Sequence, residues 1–163
     1  MKAALAQWDG KDTQFLKTLY AREFDFGDAL QLCADQDVSS AASWLIKYHL
    51  ERAIASSAQV QELLNAQRTQ GPWDTLLHLV QALDRVDMQG GDVRHAVRDL
   101  SVLKDHDAPF VRAWSLSALA RIANVHGAYK SQAIDFISAA VQREDKPSVH
   151  ARLRKAAQLL DQS

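Results

Sequence analysis

The stretch that decides the fold of this chain is DAPFVRAWSLSALARIANVHG, residues 107–127. Pro109 stands where the first turn of a helix accepts proline, and Gly127 stands where a helix commonly ends. Between them, apolar residues recur at helical spacing, at positions 111, 114, 118, 119 and 122. The stretch therefore predicts one helix with both of its ends marked.

The pattern returns downstream, where DKPSV at residues 145–149 repeats the Asp-x-Pro-x-Val spacing of the first stretch. Pro72, Pro109 and Pro147 stand 37 and 38 residues apart, and Asp35 lies 37 residues before Pro72. Each of these periods holds two predicted helices. Self-similarity at a fixed period of this length is typical of repeat architectures.

Helical spacing of apolar residues covers the rest of the chain, and the sequence shows no strand-like alternation. Helices are predicted over residues 12–22 and 28–34, from 38 to about 53, from a cap at Ser56 or Ser57 to Gly71, from Pro72 to 83, over 93–103, 109–125 and 133–141, and from Pro147 onward. The segment 87–92 contains a glycine pair and is predicted to be a loop. We therefore expect an all-α fold.

Two helices per period and an Asp-x-Pro-x-Val-Arg opening of the second helix resemble the HEAT-repeat family of α-solenoids. The resemblance covers residues 25–163 and is closest over 107–123. It is looser elsewhere, since His150 replaces the arginine, Asp74 occupies the valine position and the unit at Val38 lacks the proline. The resemblance implies a short right-handed α-α superhelix of about four HEAT-like helical pairs, with the second helices on a concave binding side.

The length of 163 residues favours one domain, residues 1–163, and 47% hydrophobic with 24% charged residues is typical of a globular protein. Residues 1–35 are acidic and do not repeat the later pattern, so we expect them to form an atypical N-terminal cap on the first unit. Basic side chains on the last helix are predicted to form the other, polar end: Arg152, Arg154 and Lys155. We expect a complete short solenoid that is a monomer.

The single cysteine, Cys33, excludes a disulfide framework and a cysteine-based metal site. It is predicted to be a small buried hydrophobe rather than a reactive thiol. The N-terminal apolar run is too short for a signal peptide, and no stretch approaches the roughly 20 apolar residues of a membrane span. We therefore expect a soluble cytoplasmic protein with no membrane association.

Catalytic motifs are missing from the sequence. The six histidines form no HExxH motif and no H-x₃-H pair, so the di-iron HEAT-like hydroxylases are not matched. There is no GxSxG motif, Walker A motif or glycine-rich phosphate loop either. We therefore expect no catalytic residue, no metal and no cofactor.

The polar stripes of the second helices are the predicted binding surface, because the resemblance assigns the concave side to those helices. Asp74, His78, Gln81 and Arg85 have the spacing i, i+4, i+7 and i+11 of one helix face. Similar stripes start at Ser40 and Ser43 in the first unit, at Ser117 in the third and near Gln158 in the fourth. The predicted binding set is Lys47, Glu51, His78, Gln81, Arg85, Arg121, Asn124 and Lys155.

Arg112 is a charge within an otherwise apolar helix, and a structural role is predicted for it. In the HEAT family the matching arginine commonly pairs with an aspartate of its own or a neighbouring unit. Asp107 and Asp145 are placed to be that partner here. Arg112 is therefore left out of the predicted binding set.

The four tryptophans do not share one position in the repeat. Trp73 and Trp114 lie on apolar stripes and are predicted core residues. Trp44 follows a polar residue and is predicted to be partly exposed, where a partner protein could contact it.

These observations predict a non-catalytic protein-interaction or scaffold module that binds another protein through the second-helix, concave face. The alternative is a nucleic-acid-binding protein, because some HEAT-like proteins are alkylpurine DNA glycosylases with a strongly basic groove. The net charge of −1 argues against it, and only the excess of +4 over residues 109–163 supports it. A third reading is an enzyme of unrecognised type with a site near His78 and Arg85.

Overall fold

The structure is a computed structural model that describes residues 1–66 and 69–161. Within these ranges the chain forms ten α-helices and no strand, which confirms the all-α prediction. The helices are α1 Lys2–Leu5, α2 Thr13–Glu23, α3 Phe26–Leu32, α4 Ser39–Leu50, α5 Ser57–Asn65, α6 Trp73–Leu83, α7 Arg94–Leu103, α8 Pro109–Val125, α9 Lys130–Arg143 and α10 Pro147–Asp161. None of these helices is long and apolar enough to cross a membrane.

The predicted helix starts are confirmed where local chemistry marks them. Pro109 and Pro147 are the first residues of α8 and α10, and Pro72 is the N-cap of α6. The Asp12 carboxylate caps α2 by accepting from two backbone N–H groups, and Ser56 caps α5 in a reciprocal capping box with Gln59. Such caps satisfy backbone donors that the first turn of a helix leaves without a partner.

Helix ends agree less well with the predictions. Helix α4 ends at Leu50 rather than near residue 53, and α5 ends at Asn65 rather than at Gly71. The four-residue helix α1 was not predicted, because one turn offers too few positions for a periodicity. The loop 87–92 is confirmed, and Gly90 adopts the left-handed φ of +77° that favours glycine.

The even-numbered helices contact one another in chain order: α4 packs on α6, α6 on α8, and α8 on α10. The odd-numbered helices α3, α5 and α7 also contact one another in order. Within the helical pairs, α3 packs on α4, α7 on α8 and α9 on α10. This arrangement brings side chains of four sequence-distant helices, α4, α6, α8 and α10, next to one another.

The buried residues form two clusters. The larger cluster runs from Phe26 on α3 to Leu160 on α10 and contains most of the buried apolar side chains of the described residues. The smaller cluster joins α1 and α2 to one side of α4, through Leu5, Leu16, Leu19, Val38, Ala41, Ala42 and Leu45. The N-terminal helices therefore cover an apolar face of α4.

The prediction that Trp73 is a core residue is wrong, because its side chain is 55% exposed. Trp73 is the first residue of α6, and the buried face of that helix begins only at Thr75 and Leu76. Trp114 is half-buried and packs against the larger cluster. Trp44 is partly exposed, as predicted, and stacks on Tyr48 with 4.8 Å between the ring centroids.

Arg112 has a structural role, but its ion-pair partner is neither of the two predicted aspartates. Its Nε and Nη2 atoms donate to the two carboxylate oxygens of Glu144, at 2.5 and 2.8 Å. Its Nη1 atom donates to the backbone carbonyls of His106 and Asp107, at 2.7 and 2.9 Å. The Arg112 side chain thus ties the start of α8 to the link between α9 and α10, and the Asp107 and Asp145 carboxylates are not its partners.

Cys33 is half-buried and packs against both buried clusters. Its thiol donates to the Ala29 carbonyl at 3.3 Å, and burial raises the pKa of the thiol to about 12. Cys33 therefore stays protonated near neutral pH, where only the thiolate is an effective nucleophile.

Candidate functional site

The residues predicted to bind a partner all lie on the even-numbered helices or within two residues of their ends. They are Lys47, Glu51, His78, Gln81, Arg85, Arg121, Asn124 and Lys155. The structure brings some of them together in two groups, one around His78 and one around Arg121. Gln81 is half-buried, while Asn124 and Lys155 are exposed.

The first group lies between α4 and α6. Lys47 and Glu51 form an ion pair with 3.3 Å between Nζ and Oε1. His78 Nδ1 lies 3.1 Å from Ser43 Oγ, and Ser43 is fully buried although the sequence places it on a polar stripe. Ser43 also donates to the Ser40 carbonyl at 3.1 Å. His78 and Ser43 are therefore contacts between two packed helices.

Burial lowers the pKa of His78 to about 4, and the Lys47 charge lowers it further, while Asp74 and Glu51 act in the opposite direction. His78 is therefore neutral near pH 7. A neutral, half-buried imidazole between two helices serves packing, and it is a weak candidate for contact with a charged partner.

Acidification should destabilise the protein through His78. Because its pKa is about 4 in the folded state and 6.5 in the unfolded chain, the unfolded state binds this proton first, and stability falls as the pH drops from 6.5 toward 4. Between about pH 7.5 and about pH 5 this group alone should cost about 2 kcal/mol. Urea unfolding of His78→Gln should show a smaller loss over that interval than the wild type. An equal loss in both proteins would contradict the prediction.

A serine beside a histidine invites a comparison with nucleophilic catalysis. Such chemistry requires that a substrate reach the hydroxyl and that a third group orient the imidazole. Ser43 is 0% exposed, and the Asp74 carboxylate accepts from the backbone N–H of Thr75. No substrate can approach Ser43 Oγ in this arrangement.

The second group contains the arginine cluster, which we define as Arg85, Arg121 and Arg152. Arg85 and Arg121 line one surface cavity of about 270 Å³, together with Val86, Asp87, Met88 and Val125. Arg121 Nε is buried and has no hydrogen-bond partner in the described part of the chain. Two residues of the predicted binding set, from different helical pairs, thus meet at one depression.

Arg152 joins this group although the sequence assigned it only to the polar end of the stack. Its guanidinium lies 3.5 Å from the centroid of the Trp114 ring, and its Nη1 lies 4.0 Å from the Asp84 carboxylate. Burial lowers the pKa of Arg152, and the nearby Arg85 charge lowers it too, whereas Asp84 raises it. The packing of α10 on α8 creates this contact, and no motif in the sequence marks it.

A second depression shares Arg85, Val86 and Asp87 with the first. It measures about 400 Å³ and is lined by residues 50–55 and 85–87. Ile54 in its wall is 100% exposed, and Val125 beside the first cavity is 44% exposed. The surface where α4, α6 and α8 end therefore combines arginines with exposed apolar side chains. It comprises residues 50–55 and 85–88 with Arg121 and Val125, and we call it the C-terminal edge, after the C-terminal ends of these three helices.

The described residues contain no group of three or more His, Cys, Asp or Glu side chains that could hold a metal ion. Comparison of the chain with models of known protein families, with curated proteins and with solved structures finds no match. The features that bear on function are therefore the order in which its helices pack and the side chains that this order brings together.

Proposed function

We propose that this chain is a short, cytoplasmic α-solenoid of HEAT-like helical pairs that acts as a non-catalytic protein-interaction module. It binds another protein through the face of α4, α6, α8 and α10. These four helices pack side by side in chain order, which supports this proposal, because a partner bound across them would contact side chains from each period of the sequence.

The observation that carries the proposal is the C-terminal edge. Two depressions of about 400 and 270 Å³ share Arg85, and Ile54 and Val125 present exposed apolar side chains beside them. Protein interfaces are enriched in arginine and have an apolar centre with a polar rim. Burial of an exposed apolar side chain also gives a partner a favourable free energy of association.

Substitution of the apolar side chains at this edge should weaken partner binding. In Ile54→Ser/Val125→Ser, each change removes about 1 to 2 kcal/mol of apolar contact, so the affinity for a partner should fall about tenfold or more. We would couple the protein to resin, identify the proteins that it retains from its native source, and measure the affinity of each purified candidate.

The matched control is Val102→Ser/Ile134→Ser, which removes exposed apolar side chains from α7 and α9, 58% and 42% exposed. Partners should bind this control like the wild type. A partner that is lost from the control variant and retained by Ile54→Ser/Val125→Ser would place binding on the odd-numbered helices and overturn the proposal.

A further inference from the structure

Three arginines, Arg85, Arg121 and Arg152, lie close together at the C-terminal edge and on the adjoining part of α10, with Asp84 and Asp87 beside them. Arg85 and Arg121 line the same cavity, and the charge of Arg85 lowers the pKa of the nearby Arg152. Asp84 lies 4.0 Å from Arg152 and accepts from the Ser117 hydroxyl at 3.3 Å. Asp84 thus already has two partners.

Arg152 has an ion-pair partner in Asp84, whereas Arg85 and Arg121 differ from it. Within the described ranges neither has an ion-pair partner, and Arg121 Nε is buried without an acceptor. The Asp87 carboxylate, in the same cavity wall, accepts from the Gln89 backbone N–H at 3.0 Å. Arg85 is exposed and Arg121 is half-buried at the wall of this cavity, so an incoming carboxylate can accept hydrogen bonds from their guanidinium groups.

From this arrangement we infer that the arginine cluster receives Asp or Glu side chains of an acidic segment in the protein partner. The inference rests on the proposed function, since it names the chemistry of the partner at the same face. A guanidinium donates two parallel hydrogen bonds to one carboxylate, which gives both affinity and orientation. Arg85 and Arg121 bind the acidic side chains, and Arg152 adds positive charge beside them.

An acidic peptide fits this surface better than a nucleic acid does. Phosphate backbones are bound by broad, strongly basic faces, whereas this chain has a net charge of −1 and places Asp84 and Asp87 among its arginines. A small number of discrete carboxylates can avoid those two aspartates, and a continuous row of phosphates cannot. Ile54 and Val125 also offer apolar contacts that suit peptide side chains.

The inference is tested by selecting random displayed peptides on the immobilised full chain at about 0.1 M salt, where charges separated by more than about 10 Å are screened. The enriched peptides should carry Asp or Glu next to apolar residues. Their affinity should fall about tenfold or more in Arg85→Gln/Arg121→Gln, since two charge-assisted hydrogen-bonding groups are lost.

A control with the same change in net charge is Arg22→Gln/Arg154→Gln, whose arginines are exposed on α2 and α10. The acidic peptides should bind this control like the wild type. Equal weakening by both variants would reveal only general charge attraction and would overturn the inference. A labelled DNA duplex that binds the wild type more tightly than any acidic peptide does, and is lost in Arg85→Gln/Arg121→Gln, would overturn it in favour of nucleic acid.

The outcome for the proposed function can be read separately in the same experiment. Enriched peptides that are neutral or basic, and that need Ile54 and Val125, would overturn the acidic partner while supporting a protein-binding edge. If no enriched peptide is weakened by either set of substitutions at the edge, the proposed function fails together with the inference.

Discussion

A variant that lacks residues 1–24 aggregates or loses its cooperative thermal transition. These residues supply Leu5, Leu16 and Leu19, which are 2%, 0% and 5% exposed and cover Val38 and Leu45 on α4. Loss of about 2 kcal/mol for each leucine, together with the newly exposed face of α4, is comparable with the whole stability of a domain, about 5 to 15 kcal/mol. Size-exclusion chromatography and thermal unfolding followed by circular dichroism measure the result.

The truncation also tests the proposed cap formed by residues 1–35. Leu30 packs against the larger cluster and should stay covered in the truncated chain. Lys11→Ala/Lys17→Ala alters the same segment without touching its buried leucines, and it should melt like the wild type. A soluble, cooperatively melting truncation with unchanged helicity per residue would show that the segment is no cap.

Local signals explain why so much of the helix pattern could be predicted. Pro109 and Pro147 fix the backbone at the start of a helix, and Asp12 and Ser56 cap the helices that follow them. Each signal acts within one turn of the chain, so it can be read from neighbouring residues. The helix order and the loop at residues 87–92 follow from signals of this kind.

Predictions that depended on packing between helices were less successful. Trp73 shares the apolar spacing of α6, but it is the first residue of the helix, before the buried face begins at Thr75. The sequence predicts that Arg152 belongs to the polar end of the stack. The packing of α10 on α8 instead places it against Trp114 and Asp84. No spacing within one helix contains this information.

The candidate site, like the fold, could be predicted from the sequence only in part. Helical spacing singled out Arg85 and Arg121, and the structure places both at one cavity. The same spacing singled out His78, which packs against Ser43 of α4. Periodicity identifies the side of a helix, and the neighbouring helix decides whether that side is open or covered.

Spacing along the sequence also could not decide between Glu144 and Asp145 as the partner of Arg112. This pairing leads to a second prediction with a large effect on stability. The two acids are adjacent, and Glu144 is the C-cap of α9, with the extended angles φ −86° and ψ 135°. Its side chain is 5% exposed, and that of Arg112 is 19% exposed. The turn of the backbone after α9 therefore directs Glu144 inward.

Glu144→Ala should lower the free energy of unfolding by about 3 kcal/mol near pH 7, because it leaves the Arg112 guanidinium mostly enclosed without its carboxylate. Asp145→Ala is the matched control: it removes the adjacent acid that the sequence favoured, and it should change stability by less than about 0.5 kcal/mol, as exposed substitutions usually do. Urea unfolding of both variants measures the difference. Equal destabilisation by the two variants would contradict the assignment of Glu144 as the stabilising partner of Arg112.

The pH dependence of this effect has a definite sign. Arg112 lowers the pKa of the Glu144 carboxyl below its ordinary value of 4.5, so the folded state gives up this proton more readily than the unfolded chain does. The stabilisation is complete above that ordinary value, and it is lost as the pH falls through the folded-state pKa. The difference in stability between wild type and Glu144→Ala should therefore narrow between about pH 7 and about pH 3. A difference that stays constant over this range would mean that Glu144 stabilises the link by packing and not by its charge.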